Sequence, residues 1–377
     1  MIAPAFRSLA ALALALAAGV ATGQGVTART VVLGQSAPLS GPLQRTGEDL
    51  RNGALAYLRK LNDAGGVNGR RVELATLDDG GDPKRALENT RRFIEVYRVF
   101  VLFGYPEASA TREVLALAHR ARMPMLGPDT GAAFARQSDR AVFTVAAGRA
   151  DEIDRVIDHY AALGRRRFAL LREDDAAGKE YAGEARASLA RHGLDPPADV
   201  PMGRDGTDHA DAVRLVSAAN PDIVLIALAQ PPAADMVKRL KSAGTRAQLV
   251  ALSGADAALT AQALGPSGAG LALSQTVPPL ARISLPVVGE YRAALADLSA
   301  VVQPTPRSLE AFIAAKVAVE AIRRAGTSPT RDSLLAALEA MSSHDTGGFR
   351  VGYSRTQRQG SARVYLQAID SDGTLLH

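Results

Sequence analysis

The apolar positions of the chain follow two rhythms in turn. Residues 30–35, TVVLGQ, form a short continuous apolar run of strand type. From residue 48 to 62 the spacing changes, and Leu50, Ala54, Tyr57, Leu58 and Leu61 recur at helical intervals. Ala64-Gly65-Gly66 is a helix stop. Residues 71–79 predict a second strand, and Asp82-Pro83 then opens a helix, with Asp as N-cap and Pro at the first helical position. Residues 99–104 predict a third strand, 111–122 a helix and 123–128 a short fourth strand.

A second series starts near Val145. Helices are predicted over 151–163, 178–192, 208–219 and 232–244, with strands at 167–172, 221–228 and 248–253. Strands alternating with helices of this length predict βαβ units and parallel sheets. Two such series predict an α/β protein of two doubly wound domains. From about residue 281 the order changes to helices at 287–300, 308–325 and 330–341. GGFRVGY and residues 363–369 follow as strands beside an Asp372-Gly373 turn. This tail is expected to complete the two domains already begun rather than form a third.

The N-terminus carries a different pattern. Arg7 precedes an apolar run over residues 9–20, and the small residues Ala21 and Gly23 follow. That is the layout of a secretory signal peptide over residues 1–24, with cleavage near Gln24. The run falls short of the ~20 apolar residues that a membrane anchor needs. The chain has no Cys, which excludes lipidation at an N-terminal cysteine, disulfides and thiolate chemistry.

Charge and composition narrow the function class. The net charge of +5 comes from 44 basic and 39 acidic residues that are interspersed, and aromatics make up only 5%. Clusters such as Arg165-Arg166-Arg167 flank an apolar strand and form no stripe, so nucleic-acid binding is not expected. The six His residues are scattered, and there is no G-x-S-x-G elbow, P-loop or H-E-x-x-H. No catalytic set, metal or cofactor is expected. GPSGAG at 265–270 neither follows a strand nor opens a helix and predicts a turn. The pairs Asp78-Asp79 and Asp174-Asp175 fall at strand ends, where open parallel sheets bind ligands. Capping of loop backbone is the competing role for both.

A stretch from 37 to 83 carries S-G-P, N-G-A, N-x-x-G-G-V-x-G and D-D-x-x-D-P elements in order. FGYPEASATREV, MPMLGPDTGA, PDIVLIAL, SQTVPP and the late GGFRVGY follow. In this order the chain resembles the periplasmic branched-chain-amino-acid-type (Leu/Ile/Val-binding-protein-like) solute-binding proteins of ABC importers. The resemblance implies the type I periplasmic binding fold, with three hinge crossovers near 145–147, Val277 and Gly348. Lobe 1 would hold residues 28–146 and 278–347, and lobe 2 residues 147–277 and 348–377. It implies a monomeric, non-enzymatic periplasmic protein that captures a small polar or carboxylate-bearing molecule and delivers it to an inner-membrane ABC permease. A periplasmic sensor for a signalling receptor shares the same fold.

The resemblance also implies contacts. Ser109 carries over as a hydroxyl donor, and Asp129, Thr130 and Gly131 as the adjacent loop, while Ser40, Thr46 and Tyr105 sit in the first-lobe loops. On the second lobe the sequence departs from relatives that bind α-amino acids. Ala177-Gly178 stands where a tyrosine is expected before the glycine, and Ala229-Gln230 where a second aromatic is expected. Ser253 stands where the ammonium-pairing acid is expected. Asp174 or Asp256 could substitute, so Asp174, Ala229, Gln230 and Ser253 complete the candidate set. An unpaired buried ammonium would cost several kcal/mol, about 3 or more, so a simple branched-chain amino acid is not the expected ligand.

Overall fold

The computed structural model describes residues 25–106, 108–133, 141–203 and 208–376. The expected export signal at 1–24 lies outside the described residues. Five parallel strands make the first sheet: β1 (Thr30–Ala37), β2 (Arg71–Asp78), β3 (Val101–Phe103), β4 (Met125–Leu126) and β5 (Val142–Phe143), in the order β2-β1-β3-β4-β5. The second sheet has seven strands: β6 (Phe168–Glu173), β7 (Ala198–Met202), β8 (Ile223–Ala227), β9 (Gln248–Ala251), β10 (Ala272–Gln275), β13 (Tyr365–Ile369) and β14 (Leu375–Leu376). Its order is β14-β13-β10-β9-β8-β6-β7, parallel except at β13 and β14. A small ribbon pairs β11 (His344–Asp345) with β12 (Arg350–Val351).

The alternation of strand side chains gives each sheet two buried faces. Ala169, Leu171, Val224 and Ile226 enter one core, while Phe168, Leu170, Ile223 and Leu225 enter the core on the opposite face. The fold class read from the apolar rhythm is the one observed. Five strands fall outside the predicted ones: β5, β7, β10, β11 and β14. β5 has two residues. β7 contains Pro201, which argues against a strand, and it is tolerated because β7 is the outer strand of its sheet. β10 is a run of only four residues, between the 265–270 turn and Pro278-Pro279.

The helices cover these faces. In the first lobe they are α1 (Gln44–Asp63), α2 (Pro83–Glu95), α3 (Ala108–Arg120) and, from the tail, α9 (Pro286–Leu298), α10 (Pro306–Arg324) and α11 (Arg331–Glu339). In the second lobe they are α4 (Arg149–Ala162), α5 (Ala176–Arg191), α6 (His209–Ala219), α7 (Pro232–Ser242) and α8 (Ala257–Leu264). Asp82 caps α2 as expected, its side chain accepting the Lys84 N–H at 2.8 Å. The α1–α10 contact depends on Gly53, where a Cβ would lie 1.9 Å from the Ser308 carbonyl oxygen. Gly265–Gly268 is a single 3-10 turn.

The chain passes between the sheets three times. Val145 and Ala146 are buried with the first core and α4 follows on the second lobe; β10 ends at Gln275 and Val277 returns to the first core. The third passage falls later than Gly348. Phe349, Val351 and Tyr353 are buried in the first core, and the second sheet is joined only at β13. The first and third passages are bonded together: Thr144 N–H donates to the Arg358 carbonyl (3.1 Å), and the Thr144 carbonyl accepts from Gly360 N–H (2.8 Å) and the Tyr353 hydroxyl (3.1 Å). Among the described residues, no helix is long and apolar enough to cross a membrane.

Candidate functional site

A cleft of about 670 Å³ lies between the two sheets, at the carboxyl ends of their parallel strands. This is the crevice position expected for open α/β sheets. Its first wall comes from consecutive loops of lobe 1. Pro106, Ala108 and Ser109 lead into α3, and Asp129, Thr130 and Gly131 follow β4. Ser109 stands exposed in the first turn of α3, where helix N–H groups have no intrahelical acceptor. Thr130 is buried and its hydroxyl accepts the Ala132 N–H at 3.2 Å. Arg307, from the first turn of α10, is bonded to the Asp129 carboxylate. These are donor groups suited to a carboxylate or other polar oxygen.

The second wall is built around a buried acid. Glu152, in α4, is 1% exposed. Its Oε1 accepts the Ser253 N–H (2.6 Å) and the Ser274 hydroxyl (2.6 Å); its Oε2 accepts the Ser253 hydroxyl (3.0 Å) and the Tyr181 hydroxyl (3.2 Å). Four neutral donors occupy both oxygens, so Glu152 ties α4, α5, β10 and the loop after β9 into one surface. Burial, and then the Glu152 charge, push the Tyr181 phenol upward, which keeps it a donor. The Arg149 guanidinium lies 5.3 Å from the centre of the Tyr181 ring and bonds Glu180 at 2.8 Å.

The walls also touch each other. Glu180 Oε1 accepts the Ala133 N–H at 2.5 Å, and the Arg149 N–H donates to the Gly131 carbonyl at 3.1 Å. At the first-wall end, burial pushes Asp49 up to about 6, against the lowering by Arg45, the Thr305 hydroxyl and Arg307. The Asp256 charge of the second lobe raises it further.

Of the candidate residues, Ser109, Asp129, Thr130, Gly131 and Ser253 line the cleft. Six do not. Ser40 is exposed and its hydroxyl donates to Asp78 at 2.6 Å. Burial opposes the charged form of Asp78, but Ser40, the Leu39 and Gly80 N–H groups and Arg85 outweigh it and hold the carboxyl at about 2. Asp78 thus fastens the loop, as its capping role implied. Thr46 is half-buried on α1, away from the lining. Tyr105 is fully buried in the first lobe, its hydroxyl bonded to that of Thr90 at 2.8 Å; an apolar ring beside Val114 and Phe93 gains more from the core than from the cleft. Asp174 is exposed beside Arg172 (3.6 Å) and Lys179 (4.0 Å). The turn after β8 is held elsewhere: Ala229 N–H donates to Glu173 at 3.2 Å, and the Gln230 amide bonds the Thr260 hydroxyl.

The departures on the second lobe have structural answers. Ala177 lines the cleft, and so does Tyr181, one helical turn later on the same face of α5. An aromatic ring thus reaches the lining four residues beyond the expected position. Ser253 lacks a carboxylate, but Glu152 places one against its backbone and hydroxyl. Arg149, Gln275, Arg307 and Glu310 also line the cleft without having been among the candidates, and Asp256, offered above as a substitute acid, lines it too. The spacing of α5 was the one available signal, since an i, i+4 alternative to 177 is legible.

The sequence matches the family model of the periplasmic binding proteins over residues 30–374. An amino acid binding protein of Pseudomonas aeruginosa is 24% identical over 227 residues, 59% of this chain. The match spans 60% of that relative's length. A Leu/Ile/Val-binding protein of Rhizobium johnstonii is 22% identical over 86% of this chain and 88% of its own. Among solved structures, a substrate-binding periplasmic protein from Ralstonia solanacearum is 31% identical, with a TM-score of 0.83 over 92% of this chain and 99% of its own. An extracellular ligand-binding receptor from Verminephrobacter eiseniae is 26% identical, with a TM-score of 0.85 over 92% of this chain and 100% of its own.

Proposed function

The chain belongs to the periplasmic binding protein family, and we propose on that basis that it captures a small polar molecule in the interlobe cleft and delivers it to an ABC-type permease. The observation that carries this is the cleft itself, where a donor-rich first wall faces a second wall assembled from four separate elements around Glu152. The Pseudomonas and Rhizobium relatives are named for binding amino acids, which supports an amino-acid-like ligand. In this proposal the protein is exported, works in the periplasm as a monomer and catalyses no reaction. Ser109, Thr130 and Gly131 hold a carboxylate or similar group, Asp129 acts through its pair with Arg307, and Ser253 completes the second wall.

The lobes would separate and approach about the three crossovers, as in hinge closure around ligands. The test is thermal shift of the exported form against a metabolite panel, followed by calorimetry. Saturable stabilisation by a small molecule is expected. Stabilisation only by a protein partner would replace transport with signalling, and no response to any small molecule would overturn capture.

A further inference from the structure

Among the described residues that line the cleft, acids outnumber guanidiniums: Asp129, Glu152, Asp175, Asp256 and Glu310 stand against Arg149 and Arg307. Both of its guanidiniums are already engaged, Arg149 by Glu180 and Arg307 by Asp129. Glu152 and Asp256, both on the second wall, meet no cation within ion-pair distance among the described residues. Glu152 is saturated by neutral donors, so its hydrogen-bonding capacity is used but its charge remains. Asp256 uses one oxygen, Oδ1, for the Ala258 and Leu259 N–H groups at 3.1 Å each, as the N-cap of α8. Its other oxygen has no partner among the described residues.

A second, independent feature shares this wall. Gln275, at the end of β10, is 4% exposed and lines the cleft. Its side-chain carbonyl oxygen is buried without a hydrogen-bond partner. A carbonyl is an acceptor only, so the group that satisfies it must be a donor. A buried acceptor left unpaired is costly, and a ligand donor would recover that cost.

A zwitterion with a neutral side chain can pair its ammonium with one acid but brings no net charge, so the acidic excess remains; a dicarboxylate adds repulsion. We infer that the ligand is net cationic, ending in an amine or guanidine that sits against Asp256 and Gln275 on the second wall. This rests on the capture of a small molecule proposed above and specifies its chemistry. Basic amino acids and aliphatic diamines share that chemistry, and they differ in whether the first wall's donors are also used.

The experiment is calorimetry on the exported protein with L-lysine, L-arginine, putrescine, L-leucine and succinate as probes, at low and high salt. At least one cationic probe is expected to bind at least tenfold tighter than L-leucine or succinate, and to weaken as salt rises. A basic amino acid binding tighter than putrescine identifies an amino-acid ligand whose carboxylate the first wall holds; the reverse identifies a diamine. Asp256→Asn should lower cationic-probe affinity at least tenfold with an unchanged melting temperature, because Asn also caps helices and tolerates the positive φ of 52° at this residue. Gln275→Leu should lose affinity for the same probes without losing stability. Tighter binding of L-leucine or succinate, or cationic binding that Asp256→Asn leaves unchanged, would overturn the inference while capture stands. If the metabolite panel also yields no ligand, capture itself fails.

Discussion

The two walls of the cleft solve the same problem by opposite means. The first wall uses short loops that leave the sheet and enter helices, so neighbours in sequence are neighbours in the site. Asp129, Thr130 and Gly131 are consecutive, and Ser109 opens α3. The second wall gathers Glu152, Tyr181, Ser253 and Ser274 from four elements spanning residues 152 to 274 around one carboxylate. A local wall tolerates the loss of one contact. A wall gathered on one buried acid should fail as a unit.

Four changes would break or sharpen that contrast. Glu152→Ala should have the largest effect. It strands the Tyr181, Ser253 and Ser274 donors and should cost about 3 kcal/mol of stability, read by urea denaturation, with ligand binding lost as well. A loss under 1 kcal/mol would mean that the second wall does not depend on its acid.

Asp49→Asn tests an acid of lobe 1 that burial holds above its ordinary range. Its folded value of about 6 exceeds the unfolded one, so the native state binds more protons and stability falls as pH rises from about 4 through 6. The Asn variant should be more stable than the parent by about 2 kcal/mol at pH 7 and equal to it near pH 4. Melting curves across that range would check it, and parallel curves would remove the burial-driven shift of Asp49.

Ser109→Ala should weaken ligand binding about fivefold to tenfold, about 1 kcal/mol, with the melting temperature unchanged. That combination is the mark of a tolerant wall. Ser40→Ala should be the smallest, about 0.5 kcal/mol of stability with no change in binding, because its hydroxyl serves Asp78. A binding defect there would return Ser40 to the site.

The same contrast explains what could be read from the chain. The sheets were legible because βαβ units repeat a local rhythm; of the first-lobe candidates, Ser109 and residues 129–131 reach the cleft lining from their loops, whereas Ser40, Thr46 and Tyr105 do not. Glu152 was hidden because nothing near it marks its partners, which lie 29, 101 and 122 residues away. Tyr181 was hidden because it lies one turn beyond 177. Tyr105 was misplaced because its loop position says nothing of whether the ring turns to the cleft or to the core. The third crossover was set too early, since GGFRVGY has the pattern of a strand but not the address of its sheet.

Thr144 has a practical consequence. Two of the three connections between the lobes are not separate tethers but one laced strip, stitched at Thr144, Arg358 and Gly360. Bonded together, these two connections should restrict relative movement of the lobes more than separate tethers would. A single pair of dyes, one per lobe, would test that restriction in solution.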